Sequence, residues 1–310
     1  LGKAGSGKST QCYREIQACA AAGGKALLLV PDQATYGAER HLAESSDGQG
    51  FLGTQVLGFS RLAYKVFQER GLEHASLSEL ARKIILQRLL HKGEKEFSVL
   101  QTAARQPNFA DTAGRFLWEC RSFCVTPEAL RQAAEAVPSP TLSHKLEDIS
   151  RLYEAYQAFL ADHFGSADDT MTLLAREIGH YSFLQGAHVW VDGFQWFTPQ
   201  QMEILRQIER AASKVTITLT IDEAHLAQQR RETALFHRAY EVYRDIKTLF
   251  PHMETAVVEK RPVGPLTAFR DAFFQTVPAS MDRPVSALEI WECPDRDGEI
   301  DSVARKIAAL

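Results

Sequence analysis

The sequence has few cysteines, no long apolar run and no excess of basic residues. Its five cysteines form neither a paired framework nor a Cys-x-x-Cys pair, which argues against a disulfide scaffold and a zinc knuckle. No stretch approaches the roughly 18 consecutive apolar residues of a membrane helix, and no signal-peptide pattern begins the chain. These absences predict a reduced, cytoplasmic protein with no membrane partner, buried thiols and no metal cluster.

The charge balance also limits the function. Lysine and arginine number 35 against 39 acidic residues, a net charge of −4, whereas a nucleic-acid binder is usually basic overall. A locally positive groove remains compatible with this balance. With 310 residues and 45% hydrophobic content, the chain is long enough for one large or two smaller domains.

The chain begins with LGKAGSGKST, which fits the phosphate-loop pattern of Gly, four residues and Gly-Lys-Ser. In that pattern glycines let backbone N–H groups surround phosphate oxygens, the lysine reaches the β- and γ-phosphates, and the serine hydroxyl ligates Mg²⁺. A helix predicted from Gln11 to Ala22 would place the anion at its N-terminus. A glycine-rich turn before an ordinary helix is the alternative. The sequence predicts a site for ATP and Mg²⁺ formed by Gly2, Gly5, Gly7, Lys8, Ser9 and Thr10.

Only Leu1 precedes this loop, although a phosphate loop normally follows a buried strand. At the other end, a strand-like segment Leu288–Cys293 and a charged helix Gly298–Leu310 reach the last residue. We therefore interpret the sequence as part of a longer chain.

The order of patterns predicts an α/β fold with a parallel sheet interrupted by a helical block. Residues 1–70 alternate helices with strands at Ala26–Val30 and Thr54–Leu57, and the same alternation returns over 180–285. Residues 71–179 carry successive helical periods without strand signals, clearest over Ser143–His163. Residues 286–310 begin a further unit.

Asp192 ends an apolar strand, VWV, and is predicted to hold Mg²⁺ through water together with Ser9. A simple Asp-Gly turn is the alternative interpretation. Motor ATPases of this type follow the aspartate with a glutamate base, but here the next residue is Gly193. Losing a positioned base costs on the order of 10²–10⁴ in rate. The sequence therefore predicts nucleotide binding without efficient turnover, and no catalytic residue is assigned.

A series of segments in chain order resembles the N-terminal part of the AddB family, the second subunit of AddAB helicase–nucleases. They are LGKAGSGKST, LLLVPDQATYGAERHL, VLGFSRLAYKVF, HKLEDISRLYEAY, VWVDGFQWFTPQQ, VTITLTIDE and ECPDRDGEID. The resemblance implies a UvrD-type superfamily 1 helicase architecture. Its first phosphate-loop, RecA-like domain would comprise 1–70 and 180–285, with 71–179 as an inserted helical subdomain. The second RecA-like domain would begin at 286–310, where the chain is truncated.

Two departures from helicase motifs indicate a decayed motor. Gly193 and Trp196 replace the acidic residues of the Asp-Glu-x-Gln-Asp stretch. His225 stands three residues after Asp222, where such helicases place a glutamine that senses the γ-phosphate.

The resemblance also implies partners and missing parts. The expected partners are the AddA helicase–nuclease subunit, in a heterodimer, and DNA, both single-stranded and at duplex ends. The family recognises the Chi sequence in the passing strand and supports recombination and repair. A C-terminal 5′–3′ exonuclease and an iron–sulfur cluster would lie outside this chain, so no cysteine here is assigned to a cluster.

By the same resemblance, loops after the second and third strands run along single-stranded DNA. In this sequence the first of these loops is Pro31–Tyr36, whose side chains offer hydrogen bonds. The second is Gly58–Tyr64, which offers an arginine for phosphate or a guanine edge and aromatic rings for stacking. Aromatic residues after Asp192 form another possible platform. Some of these rings would be core residues instead. The candidate contacts are Gln33, Thr35, Phe59, Arg61, Tyr64, Phe194 and Trp196.

Three other functions remain open from the residues. Glu223 could serve as the base of a working superfamily 1 helicase motor. A small-molecule kinase could use the same phosphate loop, although the long helical insertion is unusual for that class. A structural platform would bind no nucleotide at all.

Overall fold

The structure is a computed structural model that describes residues 1–44, 53–72, 77–106, 108–164, 169–222, 226, 232–234, 236–258, 264, 266 and 288–309. Its sheet has four parallel strands in the order β2-β1-β3-β4. The strands are β1 (Lys25–Leu29), β2 (Thr54–Leu57), β3 (Ala187–Val191) and β4 (Lys214–Ile217). The prediction of an α/β fold with a parallel sheet is confirmed.

Helices surround this sheet and fill the long segment between β2 and β3. They are α1 (Lys8–Ala21), α2 (Thr35–Glu44), α3 (Phe59–Arg70), α4 (Glu79–Gly93), α5 (Gln101–Ala104), α6 (Phe109–Ser122), α7 (Pro127–Ala136), α8 (Pro140–Phe164), α9 (Thr170–Glu177), α10 (Pro199–Ala211), α11 (His237–Leu249) and α12 (Arg296–Ala308).

The strands are apolar on both sides because both faces of the sheet are covered, as is typical of parallel sheets. In β1, Leu27 and Leu29 pack into a cluster that includes residues of α3, α9 and α10. The alternate residues Ala26 and Leu28 pack into a second cluster with residues of α1 and α2. Because successive side chains of a strand point to opposite faces, a short leucine run supplies both cores.

Helices α4 to α8 follow one another, with no strand among the described residues between them, and share a separate hydrophobic cluster. Within this helical block Asp148 of α8 is fully buried, and its carboxylate accepts hydrogen bonds from the backbone N–H groups of Ser98, Val99 and Leu100. Helix α9, which the predicted boundary at 179 assigns to the helical block, packs with α3 and α10 against the sheet.

The first two residues lie between two extended segments. The N–H of Gly2 donates to Leu219 at 3.3 Å, and its carbonyl accepts from Ile221 at 3.2 Å. On the other side the amino group of Leu1 donates to Ala256 at 2.7 Å. The phosphate loop therefore starts from a position beside the continuation of β4. The strand predicted over Val215–Ile221 is realised as β4 and, after it, a parallel bridge between Gly2 and Thr220.

The strand-like segment Leu288–Cys293 forms no strand within the described residues, so that prediction is wrong. A strand needs a hydrogen-bonded neighbour, and the side chain of Ile290 is 88% exposed. Helix α12 follows this segment without a buried residue. In the part of the chain that the structure describes, no helix combines the length and apolar character needed to cross a membrane.

Candidate functional site

The candidate site lies where the parallel strands end. Parallel strands place their carboxyl ends at one edge of the sheet, and ligands of such folds bind at that edge. The loops after β1 and β2, Asp192 after β3 and Thr218 after β4 all begin there. The phosphate loop joins them, since Gly2 is bridged to Thr220 at the same edge.

The predicted phosphate loop has the backbone that its pattern demands. Gly5 and Gly7 have φ values of +74° and +91°, in the left-handed region that L side chains rarely adopt. The N–H of Ser6 donates to the carbonyl of Lys3 at 3.1 Å and closes the loop on itself. Helix α1 then begins at Lys8, so the predicted helix is confirmed with an earlier start.

Lys8 folds back onto this loop. Its Nζ donates to the carbonyls of Gly2 and Lys3, each at 2.8 Å. Burial lowers the pKa of the Lys8 ammonium, and the negative charge of nearby Asp192 opposes that shift. The ammonium is thus held beside the loop, in the position from which it would reach a phosphate group.

Asp192 is buried at the end of β3 and is oriented by a neighbouring strand. Its backbone N–H donates to Leu29 at 3.0 Å, and its carboxylate accepts a short hydrogen bond from the hydroxyl of Thr218. Thr218 was not among the predicted site residues. Only the pairing of β3 with β4 brings the two together, and a single sequence does not give that register.

These residues fit a triphosphate with Mg²⁺. Among the described residues no side chain caps the first turn of α1, and that turn contains no acidic residue. Its N–H groups and the partial positive charge of the helix therefore suit an anion. Ser9 and Thr10 are exposed in this turn, and an oxygen donor set of Ser9 and Asp192 suits Mg²⁺. Bound Mg²⁺ would neutralise charge on the phosphates.

An ion pair at the loop was not predicted. Nζ of Lys3 lies 2.9 Å from a carboxylate oxygen of Asp222, whose side chain is 11% exposed. The pair ties the phosphate loop to the segment that follows Thr220. The sequence gives no signal for it, because Lys3 and Asp222 lie far apart in the chain.

Gly193 lacks a side chain, and its backbone also has a conformation that a glutamate rarely adopts. Its φ is +82°, within the left-handed region. A Cβ atom built there would lie 3.4 Å from Cδ of Pro31, which is ordinary contact. The obstacle to another residue at 193 is therefore backbone strain, and space is available.

The aromatic residues near Asp192 divide into core and surface. Phe59 is buried and meets Phe194 edge to face, with ring centroids 5.5 Å apart. Phe194 is half-buried and lies 5.1 Å from the ring of Phe197. Trp196 is 55% exposed. Of the predicted stacking residues in this loop, Trp196 has the most accessible ring.

The predicted DNA contacts after β1 also differ in their exposure to solvent. Gln33 is exposed. Thr35 is buried, and its hydroxyl donates to the carbonyl of Asp32 at 2.9 Å. Tyr36, which is not among the predicted contacts, is exposed at the start of α2. The carboxylate of Asp32 accepts from the hydroxyl of Ser60 at 2.9 Å and joins this loop to α3.

The prediction that Gly58–Tyr64 forms a loop is wrong, because α3 begins at Phe59. Arg61 and Tyr64 lie on this helix and both line a cavity of about 620 Å³ between α2, β2 and α3. The ring of Tyr64 is 67% exposed. The guanidinium of Arg61 lies 3.4 Å from a carboxylate oxygen of Glu39. The structure thus brings two of the predicted DNA contacts to one surface depression. His225 and Glu223 lie outside the described residues.

Comparison with known proteins identifies the family. The family model described as "ADDB, N-terminal" matches residues 1–273. Similar relatives are the B subunits of ATP-dependent helicase/deoxyribonucleases. The whole chain is 34% identical to the one from Pelotomaculum thermopropionicum, 31% to the one from Bacillus subtilis and 30% to the one from Desulforamulus reducens.

The chain spans 28% of the length of each of these relatives. The match extends over all of the chain, so it covers the helical block and the sheet as well as the phosphate loop. The resemblance seen in the sequence motifs is confirmed: the chain belongs to the AddB N-terminal family.

Proposed function

We propose that the chain is the nucleotide- and DNA-binding N-terminal part of a helicase-like subunit that has lost its motor activity. The subunit would belong to a helicase–nuclease that processes DNA double-strand breaks. Its partner would be the AddA helicase–nuclease subunit, since its relatives are named as one subunit of a helicase/deoxyribonuclease. Its fold would be a RecA-like phosphate-loop domain with the helical block α4–α8 as an insertion.

One observation carries the proposal. The phosphate loop, Lys8 and the buried Asp192 are assembled at one edge of the sheet, while the residue after Asp192 is a left-handed glycine. Groups suited to ATP and Mg²⁺ therefore lie together at this edge, which supports the proposal, while glycine at 193 offers no side chain to polarise a water molecule. Binding without efficient hydrolysis follows from that combination.

The DNA part of the proposal rests on the same edge. The loops after β1 and β3 and the first turns of α3 bring Gln33, Trp196, Arg61 and Tyr64 to the surface as exposed side chains. Arginine and exposed rings are the groups that bind phosphates or base edges of single strands and stack on their bases. We propose that these residues scan the passing strand for Chi and so support homologous recombination, with the exonuclease and iron–sulfur cluster elsewhere in the full-length subunit.

Two measurements on one preparation test the proposal. The full-length subunit is titrated with a fluorescent ATP analogue in Mg²⁺, and phosphate release is then followed with and without single-stranded DNA. We expect saturable binding of the analogue and little DNA-stimulated release. Brisk DNA-dependent release would identify a working motor, whereas no binding would identify a structural platform.

Gly193→Glu is expected to leave phosphate release at its low wild-type level. The new carboxylate would sit on a strained backbone, which costs about 1–2 kcal/mol for an L residue in the left-handed region. It would therefore not be held in the geometry that a general base requires. Phosphate release in the presence of single-stranded DNA measures turnover, and urea unfolding measures the free-energy cost of the strained backbone.

Gly193→Ala is the matched control, because it introduces the same backbone strain without a carboxylate. Both variants should lose a similar free energy of unfolding. Robust turnover by the single Gly193→Glu variant would contradict this account of the lost motor activity.

A further inference from the structure

The cavity between α2 and α3 combines charges of both signs with an exposed ring. It has a volume of about 620 Å³, and its floor is formed by β2. Helix α3 contributes Arg61, Tyr64, Lys65 and Gln68 to its wall, and α2 contributes Glu39. A carboxylate is unexpected in a cavity that would receive a polyanion such as DNA.

Helical spacing explains why these groups face the cavity together. Residues 61, 64, 65 and 68 are separated by three or four positions and so share one face of α3. The opposite face carries Leu62, Val66 and Phe67, which are buried against the sheet. Burial of the apolar face fixes the rotation of α3, and the polar residues are thereby directed at α2.

Glu39 and Arg61 contact each other across the cavity. The guanidinium Nη1 lies 3.4 Å from Oε1 of Glu39, and the side chains are 60% and 48% exposed for the arginine and the glutamate. An ion pair with this exposure contributes little to stability. Its significance is that a ligand bound to the Arg61 guanidinium would lie close to the carboxylate of Glu39.

We propose that Glu39 is a specificity-determining residue of this cavity, and that it directs Arg61 away from phosphate and toward a guanine base of single-stranded DNA. This inference rests on the proposed binding of single-stranded DNA.

The guanidinium of Arg61 and the carboxylate of Glu39 together would discriminate between a phosphate group and a nucleobase. A phosphate group offers only acceptor oxygens, so it can bind Arg61 but is repelled by the carboxylate of Glu39. A nucleobase edge carries donors as well as acceptors and can bind both side chains at once. The ion pair therefore disfavours contacts with the phosphate backbone of DNA, which do not depend on sequence. It does not disfavour contacts with the bases.

Guanine fits the pair better than the other bases. Its O6 and N7 are neighbouring acceptors that match the fork of an arginine. Its N1–H and N2–H₂ groups are neighbouring donors that match the two oxygens of a carboxylate. Adenine, cytosine and thymine lack that combination of paired acceptors and paired donors. Tyr64 beside the pair offers a ring on which the base can stack.

The test uses the full-length protein in complex with its partner subunit and measures binding of oligonucleotides by fluorescence anisotropy. The probes are oligo-dT, the same strand with one dG, and the same strand with deoxyinosine, which lacks the 2-amino group, in place of dG. For the wild type we expect a preference for dG over dT, and a loss of about tenfold from dG to deoxyinosine, as for a lost hydrogen bond to a charged group.

Glu39→Gln should change three measured quantities: the affinity for oligo-dT, its salt dependence, and the difference between dG and deoxyinosine. Its affinity for oligo-dT is expected to rise about threefold, because Arg61 is released from an exposed ion pair. The slope of log affinity against log salt should steepen by about 0.7, as expected when one more phosphate of a single strand is neutralised. The difference between dG and deoxyinosine should shrink to less than about twofold, because the charged acceptor of the 2-amino group has been replaced by an amide.

Glu44→Gln is the matched control, since Glu44 lies on the same helix and pairs with Arg40 at 2.6 Å, apart from the cavity-lining residues. It removes the same charge and should leave the base preference and the salt slope at wild-type values. If Glu39→Gln and Glu44→Gln behave alike, Glu39 does not determine specificity, although the binding of single-stranded DNA would stand. If the wild-type complex binds none of the strands, the proposed function fails as well.

Discussion

Replacing Lys8 by alanine is expected to lower the affinity for ATP by about 10- to 100-fold, as for the loss of a hydrogen bond between a charged group and phosphate. The ammonium lies beside the loop, where its Nζ contacts the carbonyls of Gly2 and Lys3 at 2.8 Å each. Bound phosphates would exchange those neutral acceptors for charged ones. Equilibrium titration with a fluorescent ATP analogue in Mg²⁺ measures the change.

Two further variants separate charge from packing. Lys8→Met keeps most of the half-buried aliphatic stem and should lose affinity as alanine does. Lys92→Ala removes an exposed positive charge on α4 and should leave nucleotide affinity at the wild-type value. Unfolding curves without nucleotide show whether the loop variants are folded. Unchanged ATP affinity in a folded Lys8→Met protein would mean that the loop does not bind the triphosphate.

The parts of the fold that the sequence predicted are those set by local patterns. The strand predicted at Thr54–Leu57 has those limits in the structure, because a short segment ending in the buried Val56 and Leu57 is bounded by Gly53 and Gly58. The helix that follows the phosphate loop was also predicted from local signals, and it begins at Lys8 where Gly7 ends the loop. Elements of this kind depend on neighbours in sequence.

The contacts that orient the candidate site depend on register and could not be predicted. Thr218 reaches Asp192, and Lys3 reaches Asp222, across neighbouring segments of the sheet. Glu39 meets Arg61 because two helices flank one strand. A single sequence gives the elements but not which side chains of different elements lie opposite each other.

The structure divides the predicted DNA contacts into buried and exposed side chains, a division that the sequence did not predict. The loops were predicted from the family, but their residues alternate between core and surface. Thr35 and Phe59 are buried, whereas Gln33 and Tyr64 are exposed. All of them remain predictions as DNA contacts. The exposed residues can meet a strand without rearrangement, and the buried ones would act by holding the loops in place.

Replacing Asp148 by alanine is expected to lower the free energy of unfolding by roughly 3 kcal/mol, as for buried donors left unpaired. The carboxylate is fully buried in α8 and accepts from the N–H groups of Ser98, Val99 and Leu100 at 3.0, 2.8 and 3.0 Å. Those donors precede α5, and Leu100 is itself buried, so water does not easily replace the acceptor of its N–H group. Urea unfolding followed by circular dichroism measures the loss.

The neighbouring Glu147 supplies the control, because it is a partly exposed acidic residue of the same helix and approaches Arg151 only at 4.0 Å. Glu147→Ala should change the free energy of unfolding by less than about 0.5 kcal/mol, as is usual at surface positions. Asp148→Asn should fall between the two, since an amide oxygen can still accept from part of the cluster. Hydrogen exchange at residues 98–100 should quicken in the order of lost stability. Equal stability of Asp148→Ala and Glu147→Ala would show that the helical block is held by its apolar core alone and that the buried carboxylate contributes nothing.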